Sequence, residues 1–108
     1  MHPRIDHRNV SPNAIIAMLG LGGYIRSSGL PEDLLNLLRL RVSQINGCAY
    51  CIDMHSKELR AAGETEQRLY MLDAWREAPF YSERERAALV WAEAVTLVHQ
   101  GHVPDEVY

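Results

Sequence analysis

The chain has 108 residues, 47% of them hydrophobic and 23% charged, the balance of one ordinary domain whose modest core a partner chain would help to complete. A net charge of -3 without any cluster of lysine and arginine argues against nucleic acid or an anionic membrane as the main ligand. No apolar run approaches the ~20 residues of a membrane span, and the opening MHPRIDHR lacks the apolar segment of a secretory signal, so a cytosolic location is expected.

Residues 1–10 are polar and read as an irregular N-terminal arm. Ser11-Pro12 is a cap followed by proline at the first helical position, and it predicts a helix through Ile15, Met18 and Leu19 to Tyr24 and Ile25, ended by Ser28-Gly29. The cluster Gly20-Leu21-Gly22-Gly23 weakens that helix by about 1 kcal/mol per glycine relative to alanine. It is no phosphate loop, because neither a preceding strand nor a GK[ST] ending is present.

Pro31-Glu32-Asp33 opens a second long helix, with its acidic residues where the helix dipole favours them. Leu34, Leu35, Leu37, Leu38, Leu40, Val42 and Ile45 make it a mostly buried helix. Arg41 shares their stripe, either as a snorkelling side chain or as a partly buried cation near the thiols that follow. Gln44 and Asn46 lead directly into those thiols.

The stretch QINGCAYCIDMHSKELRAAG, residues 44–63, carries the chemistry. Asn46-Gly47 is a turn signal, which places Cys48 in or beside the first turn of a helix that Gly63 closes as a left-handed cap. On a helix each residue advances about 100° and about 1.5 Å, so Cys48, Cys51, Ile52, His55, Leu59 and Ala62 fall on one stripe, with Asp53, Ser56, Lys57 and Arg60 opposite. The first turn favours a thiolate at Cys48. His55 stands one turn beyond Cys51. The spacing thus offers a thiol pair able to close a disulfide, with a base beside the inner thiol. In a reducing compartment such a pair points to catalysis or metal binding rather than to a structural staple. Two other readings stay open here. The cysteines are also explained as small apolar filler, and a zinc site would take Cys48, Cys51 and His55 with His99 or His102 as the fourth ligand. Haem attachment is excluded, because Ile52 and not histidine follows the second cysteine.

Thr65 or Glu64 begins a short helix through Leu69, Met71, Leu72 and Trp75, which Pro79 stops. Ser82-Glu83-Arg84-Glu85 is a capping box, and Leu89, Val90, Ala94, Val95 and Val98 follow at helical spacing up to Gly101. Glu93 in this helix reads as a rim carboxylate or as one that reaches an active site. Pro104-Asp105-Glu106-Val107 resembles the first turn of a further helix, cut short or completed by contacts between copies. Every periodic segment is helical, so the fold class is all-α, with residues 1–108 as a single domain.

With LLNLLRLRVSQINGCAYCIDMHSKELRAAGE and WREAPFYSERERAALVWAEAVT in view, the chain resembles the AhpD-like alkylhydroperoxidase branch of the carboxymuconolactone decarboxylase family, from roughly Ser11 to Val107. That resemblance implies a compact all-helical subunit with the CxxC at the N-terminus of a central helix, assembled into trimers or hexamers. It implies a thiol peroxidase acting on hydroperoxides, with no bound cofactor or metal and with reducing equivalents from a lipoyl-type dithiol or another thiol donor. By matching position Cys51 is the peroxidatic thiol, Cys48 the resolving thiol and His55 part of a proton relay. Helix-end electrostatics taken alone favours Cys48 as the more acidic thiol; proximity to His55 favours Cys51. The family's relay begins at a glutamate twelve residues before the first cysteine, where this chain has Asn36. An amide cannot exchange a proton as a carboxylate does, so a slower peroxidase or different thiol chemistry is expected unless Glu93 or Glu32 substitutes; Asn36 itself either holds a water by hydrogen bonding or is an exposed polar residue of no special role. The alternatives to a peroxidase are a dithiol–disulfide oxidoreductase serving a protein partner and a non-catalytic oligomeric or sensor subunit.

Overall fold

The computed structural model describes residues 2–108; Met1 of the expected arm lies outside the described residues. The chain divides into two compact units, one running up to Pro31 and the other from Glu32 to Tyr108. Among the described residues all regular structure is helical. No helix among them is long and apolar enough to cross a membrane.

The first unit holds α1 (His7–Val10) and α2 (Pro12–Arg26). The arm is therefore less irregular than expected. Asp6 accepts the backbone N–H of Asn9 through its carboxylate and nucleates one helical turn, the local bonding that makes aspartate a good cap. Pro12 takes the first turn of α2, as its ring prefers. The glycine cluster does not break α2, which runs on to Arg26 before Gly29 reverses the chain with φ 91°.

The second unit carries the core. It contains α3 (Glu32–Asn46), α4 (Ala49–Ala61), α5 (Glu66–Tyr70), a 3-10 turn (Leu72–Ala74), α6 (Glu83–Thr96) and α7 (Val98–Gly101). The long central helix α3 packs against both α4 and α6. Leu37 and Leu40 from α3, Leu59 from α4, Leu72 from the 3-10 turn and Leu89 from α6 are the largest fully buried side chains. Each contributes about 2 kcal/mol of apolar transfer free energy.

The helix expected from Glu64 or Thr65 to Trp75 is divided in two. Thr65 caps α5 through its hydroxyl, but the Tyr81 hydroxyl donates to the carbonyl of Arg68, the acceptor a continuous helix would offer to Leu72. The turn then tightens into the 3-10 segment. At the other end of the unit, α6 stops at Thr96 and Gly101 is the last residue of α7, so the expected cap at Gly101 falls instead on His102, at φ 54°. Pro104 to Val107 form a single turn closed by the Val107 N–H on the Pro104 carbonyl at 2.9 Å.

The capping box at Ser82 is present in full. Its hydroxyl accepts the Glu85 N–H at 3.2 Å, and the Glu85 carboxylate accepts the Ser82 N–H at 2.9 Å. The same carboxylate holds Arg68 of α5 at 2.8 Å, so the start of α6 is tied to α5 as well as capped. Ser82→Ala is expected to cost about 1 kcal/mol, a drop of about 5 °C in Tm for a domain of this size, readable by thermal melting at neutral pH.

Candidate active site

The thiols are placed by backbone rules acting at the end of α3. Gly47 has φ 65°, in the left-handed region that glycine enters without a Cβ clash. Its N–H bonds the Gln44 carbonyl and the Cys48 N–H bonds the Ser43 carbonyl, both at 3.1 Å. This is the double closure that ends a helix and turns the chain sharply. Cys48 is delivered to the N-cap of α4, where its Sγ accepts the Cys51 N–H at 3.3 Å. A sulfur there sits against free backbone donors and the positive end of the helix. Cys48 and Cys51 are joined as a disulfide with a Cα–Cα distance of 5.3 Å, well inside the range such a bridge spans. The expected pairing at the start of a helix is thus present. The far end of α4 closes by the same device as α3, with Gly63 at φ 98° and the Gly63 and Glu64 N–H groups on the carbonyls of Arg60 and Leu59.

Along α4 the stripe expected to face inward is partly so. Leu59 is fully buried, Cys48, Cys51, Ile52 and His55 are half-buried, and Ala62 is exposed. Ser56, expected on the opposite side, is half-buried as well. It lines a cavity of about 460 Å³ together with Ile52 and Arg60 of α4, Leu40 and Gln44 of α3, and Glu66, Leu69 and Tyr70 of α5. Cys48, Ile52, Ser56 and Arg60 are spaced by four, so this cavity runs along the line of the outer cysteine.

His55 keeps 14% of its side chain exposed, and its Nδ1 lies 2.9 Å from Oε2 of Glu58, three residues on along α4. Sequence reading missed Glu58. The signal was available, since residues three apart on a helix meet.

The other residues considered for the relay are engaged elsewhere. Asn36 is not an exposed polar residue: it is 8% exposed, and its amide oxygen accepts from Arg39 at 2.8 Å. Burial requires such a bond. Glu32 pairs with the same Arg39 at 3.1 Å. Glu93 is not a rim carboxylate either. Its side chain is 14% exposed and takes three donors: Nε of Arg41 at 2.9 Å and Nε1 of Trp75 at 2.8 Å on one oxygen, Arg76 at 2.7 Å on the other. Burial raises the pKa of this carboxyl, but the hydrogen bonds from Trp75, Arg41 and Arg76 outweigh it and hold the group below its ordinary value. Arg41 is correspondingly a partly buried cation, and it also reaches Asp73 at 2.7 Å and Gln44 at 3.1 Å. The hub ties α3, the 3-10 turn and α6 together. Neither Glu93 nor Glu32 is bonded to His55.

The alternative zinc ligands His99 and His102 lie on and just beyond α7. Among the described residues no three His, Cys, Asp or Glu side chains are gathered to hold a metal ion.

Comparisons with known proteins bear on this arrangement. YdfG of Bacillus subtilis (strain 168), a protein described as uncharacterized, is 44% identical over all 108 residues, which cover 74% of its length. Alkyl hydroperoxide reductase AhpD of Methylocella silvestris is 49% identical over 45 residues, which are 42% of this chain and 25% of that one. A crystal structure from Agrobacterium tumefaciens, described as a protein of unknown function and a candidate AhpD of antioxidant defence, superposes with a TM-score of 0.92. It is 44% identical and covers 98% of this chain and 73% of its own. The sequence profile of the carboxymuconolactone decarboxylase family matches residues 12–94, from the start of α2 through the cysteine pair to the last turn of α6, and the chain belongs to that family.

Proposed function

We propose that this protein is a thiol-dependent peroxidase that reduces alkyl hydroperoxides by cycling Cys48 and Cys51 between dithiol and disulfide. The observation that carries the reading is the cysteine pair itself, closed at the N-terminus of α4 with His55 one turn beyond. In the reduced protein Cys51 gives its proton to the imidazole, and its sulfur attacks the terminal oxygen of the hydroperoxide. The O–O bond breaks, the alcohol leaves carrying that proton, and the sulfur remains as a sulfenic acid. The thiol of Cys48 then attacks it, an S–S bond forms and water departs. Two electrons from a lipoyl-type dithiol, or from another thiol donor that is itself oxidised to a disulfide, reopen the pair. The chemistry needs no bound cofactor.

The apolar walls that Leu40, Ile52 and Leu69 give the cavity beside α4 suit an alkyl tail. The exposed side chains of Ile16, Leu19, Leu21 and Tyr24 on α2 support a homo-oligomer, trimeric or hexameric as the family resemblance implies, in which they would be covered. A cytoplasmic setting, with a protein carrying the donor thiols, completes the proposal.

One observation favours a second reading. The amide of Asn36, buried and bonded to Arg39, stands where the family's relay has a carboxylate, and a dithiol–disulfide oxidoreductase acting on a protein partner would manage without it. Incubating the protein with cumene hydroperoxide and dihydrolipoamide separates the two. Peroxide consumption dependent on the protein, with the Cys48–Cys51 disulfide recovered by peptide mass mapping, is expected. Disulfide exchange with dihydrolipoamide but no loss of peroxide would favour the oxidoreductase.

A further inference from the structure

We infer that Glu58 is the positioning residue for His55, supplying from α4 itself the carboxylate that position 36 of α3 lacks. The inference rests on the dithiol chemistry proposed above and deepens it.

The geometry is direct: Oε2 of Glu58 lies 2.9 Å from Nδ1 of His55. Each rival carboxylate is bonded elsewhere, Glu32 to Arg39 and Glu93 to Arg41, Trp75 and Arg76. The amide oxygen of Asn36 is likewise held by Arg39. A carboxylate offers only acceptors, so the bond requires the proton of a neutral imidazole to sit on Nδ1. Nε2 is then left with the lone pair that can take a thiol proton. When Nε2 takes it, the ring becomes a cation paired at Nδ1 with the Glu58 carboxylate. The same Nε2 proton is available to the departing alkoxide after the O–O bond breaks, so the imidazole ends the step as it began. Both partners lie on one helix, three residues apart, the spacing at which side chains on a helix surface meet.

Glu58 is about half exposed, at 47% of its side chain, so its replacement leaves the core intact. Two measurements on the full chain test the inference. In the reduced protein, imidazole nitrogen shifts, assigned by comparison with His55→Gln, are expected to show the Nδ1-protonated tautomer at His55, and Glu58→Ala is expected to lose that preference. An Nε2-protonated ring in the unmodified protein would overturn the proposal, whatever the reaction. In single-turnover oxidation by cumene hydroperoxide, Glu58→Ala is expected to slow the maximal rate by roughly 10-fold to 100-fold, a share of the usual acid–base contribution, at unchanged half-saturation by peroxide. Glu58→Gln keeps an acceptor for Nδ1 but not the charge, and it should fall between the two. A Glu58→Ala rate within twofold of the unmodified protein would also overturn the inference. Failure of the unmodified protein to react with peroxide would instead sink the peroxidase reading and leave the tautomer measurement to decide on Glu58.

Discussion

Cys51→Ser is expected to abolish hydroperoxide turnover, with residual peroxide loss no faster than that of a protein-free control. A hydroxyl at this position is not a nucleophile without strong activation, and oxygen cannot pass through the sulfenic and disulfide states that store the two electrons. Cys48→Ser should behave differently: one equivalent of peroxide is consumed, and the protein then stalls with Cys51 carrying one added oxygen, detectable by intact mass and by trapping with a carbon nucleophile. The contrast matters because the N-cap geometry pulls the other way. Cys48 Sγ accepts the Cys51 N–H at the helix end where a thiolate is favoured, whereas Cys51 has His55 one turn on. If Cys48→Ser is the inert variant and Cys51→Ser the one that stalls after a single turnover, helix-end electrostatics has outweighed the imidazole and the roles are exchanged.

What was legible in the chain before its structure was known is what short-range rules govern. Pro12 in the first turn of α2, the box at Ser82 and the left-handed glycines Gly47 and Gly63 each act on residues a few positions away, although Ser11, expected as a cap, makes no side-chain bond to the start of α2. Those rules suffice to set Cys48 at the head of α4 and Cys51 one turn deeper. The Glu58 bond to His55 obeys the same kind of rule and was open to the same reading. Glu93 was not legible. Its partner Arg41 lies 52 residues away and Trp75 lies 18 residues away, and no local pattern brings them together. The bond from Arg39 to Asn36 spans three residues and obeys the local rule too, whereas the split of α5 from the 3-10 turn depends on Tyr81 capturing a carbonyl thirteen residues earlier. Ser56 shows a further limit: helical periodicity assigns one inward stripe, whereas α4 also lines a cavity shared with α3 and α5, and Ser56 and Arg60 face that cavity from outside the stripe.

The Glu93 hub sets the largest expected change in stability. Glu93→Leu is expected to destabilise the protein by about 3 kcal/mol at neutral pH, the usual cost of removing one partner from a buried charge pair. Arg41, whose side chain is 13% exposed, would keep its charge with only the exposed Asp73 and Gln44 to answer it, and Trp75 Nε1 would lose its acceptor. Replacing both partners, Arg41→Met with Glu93→Leu, should recover most of the loss, because apolar groups of similar volume carry no desolvation penalty. The carboxyl of Glu93 is held below its ordinary value in the folded state. Its contribution is therefore fully present above the unfolded value of about 4.3 and is lost as pH falls toward and through the folded one. Burial likewise pushes the Glu85 carboxyl up, and the Arg68 guanidinium and the Ser82 N–H bring it below its ordinary value, so a second acid-sensitive contribution survives in the variant. Urea unfolding at pH 7 and at steps from about pH 5 down to pH 3 should show the stability of the unmodified protein falling more steeply with acid than that of Glu93→Leu, with the two curves converging at the acid end. Parallel curves would mean that the three donors on Glu93 do not favour its ionised form.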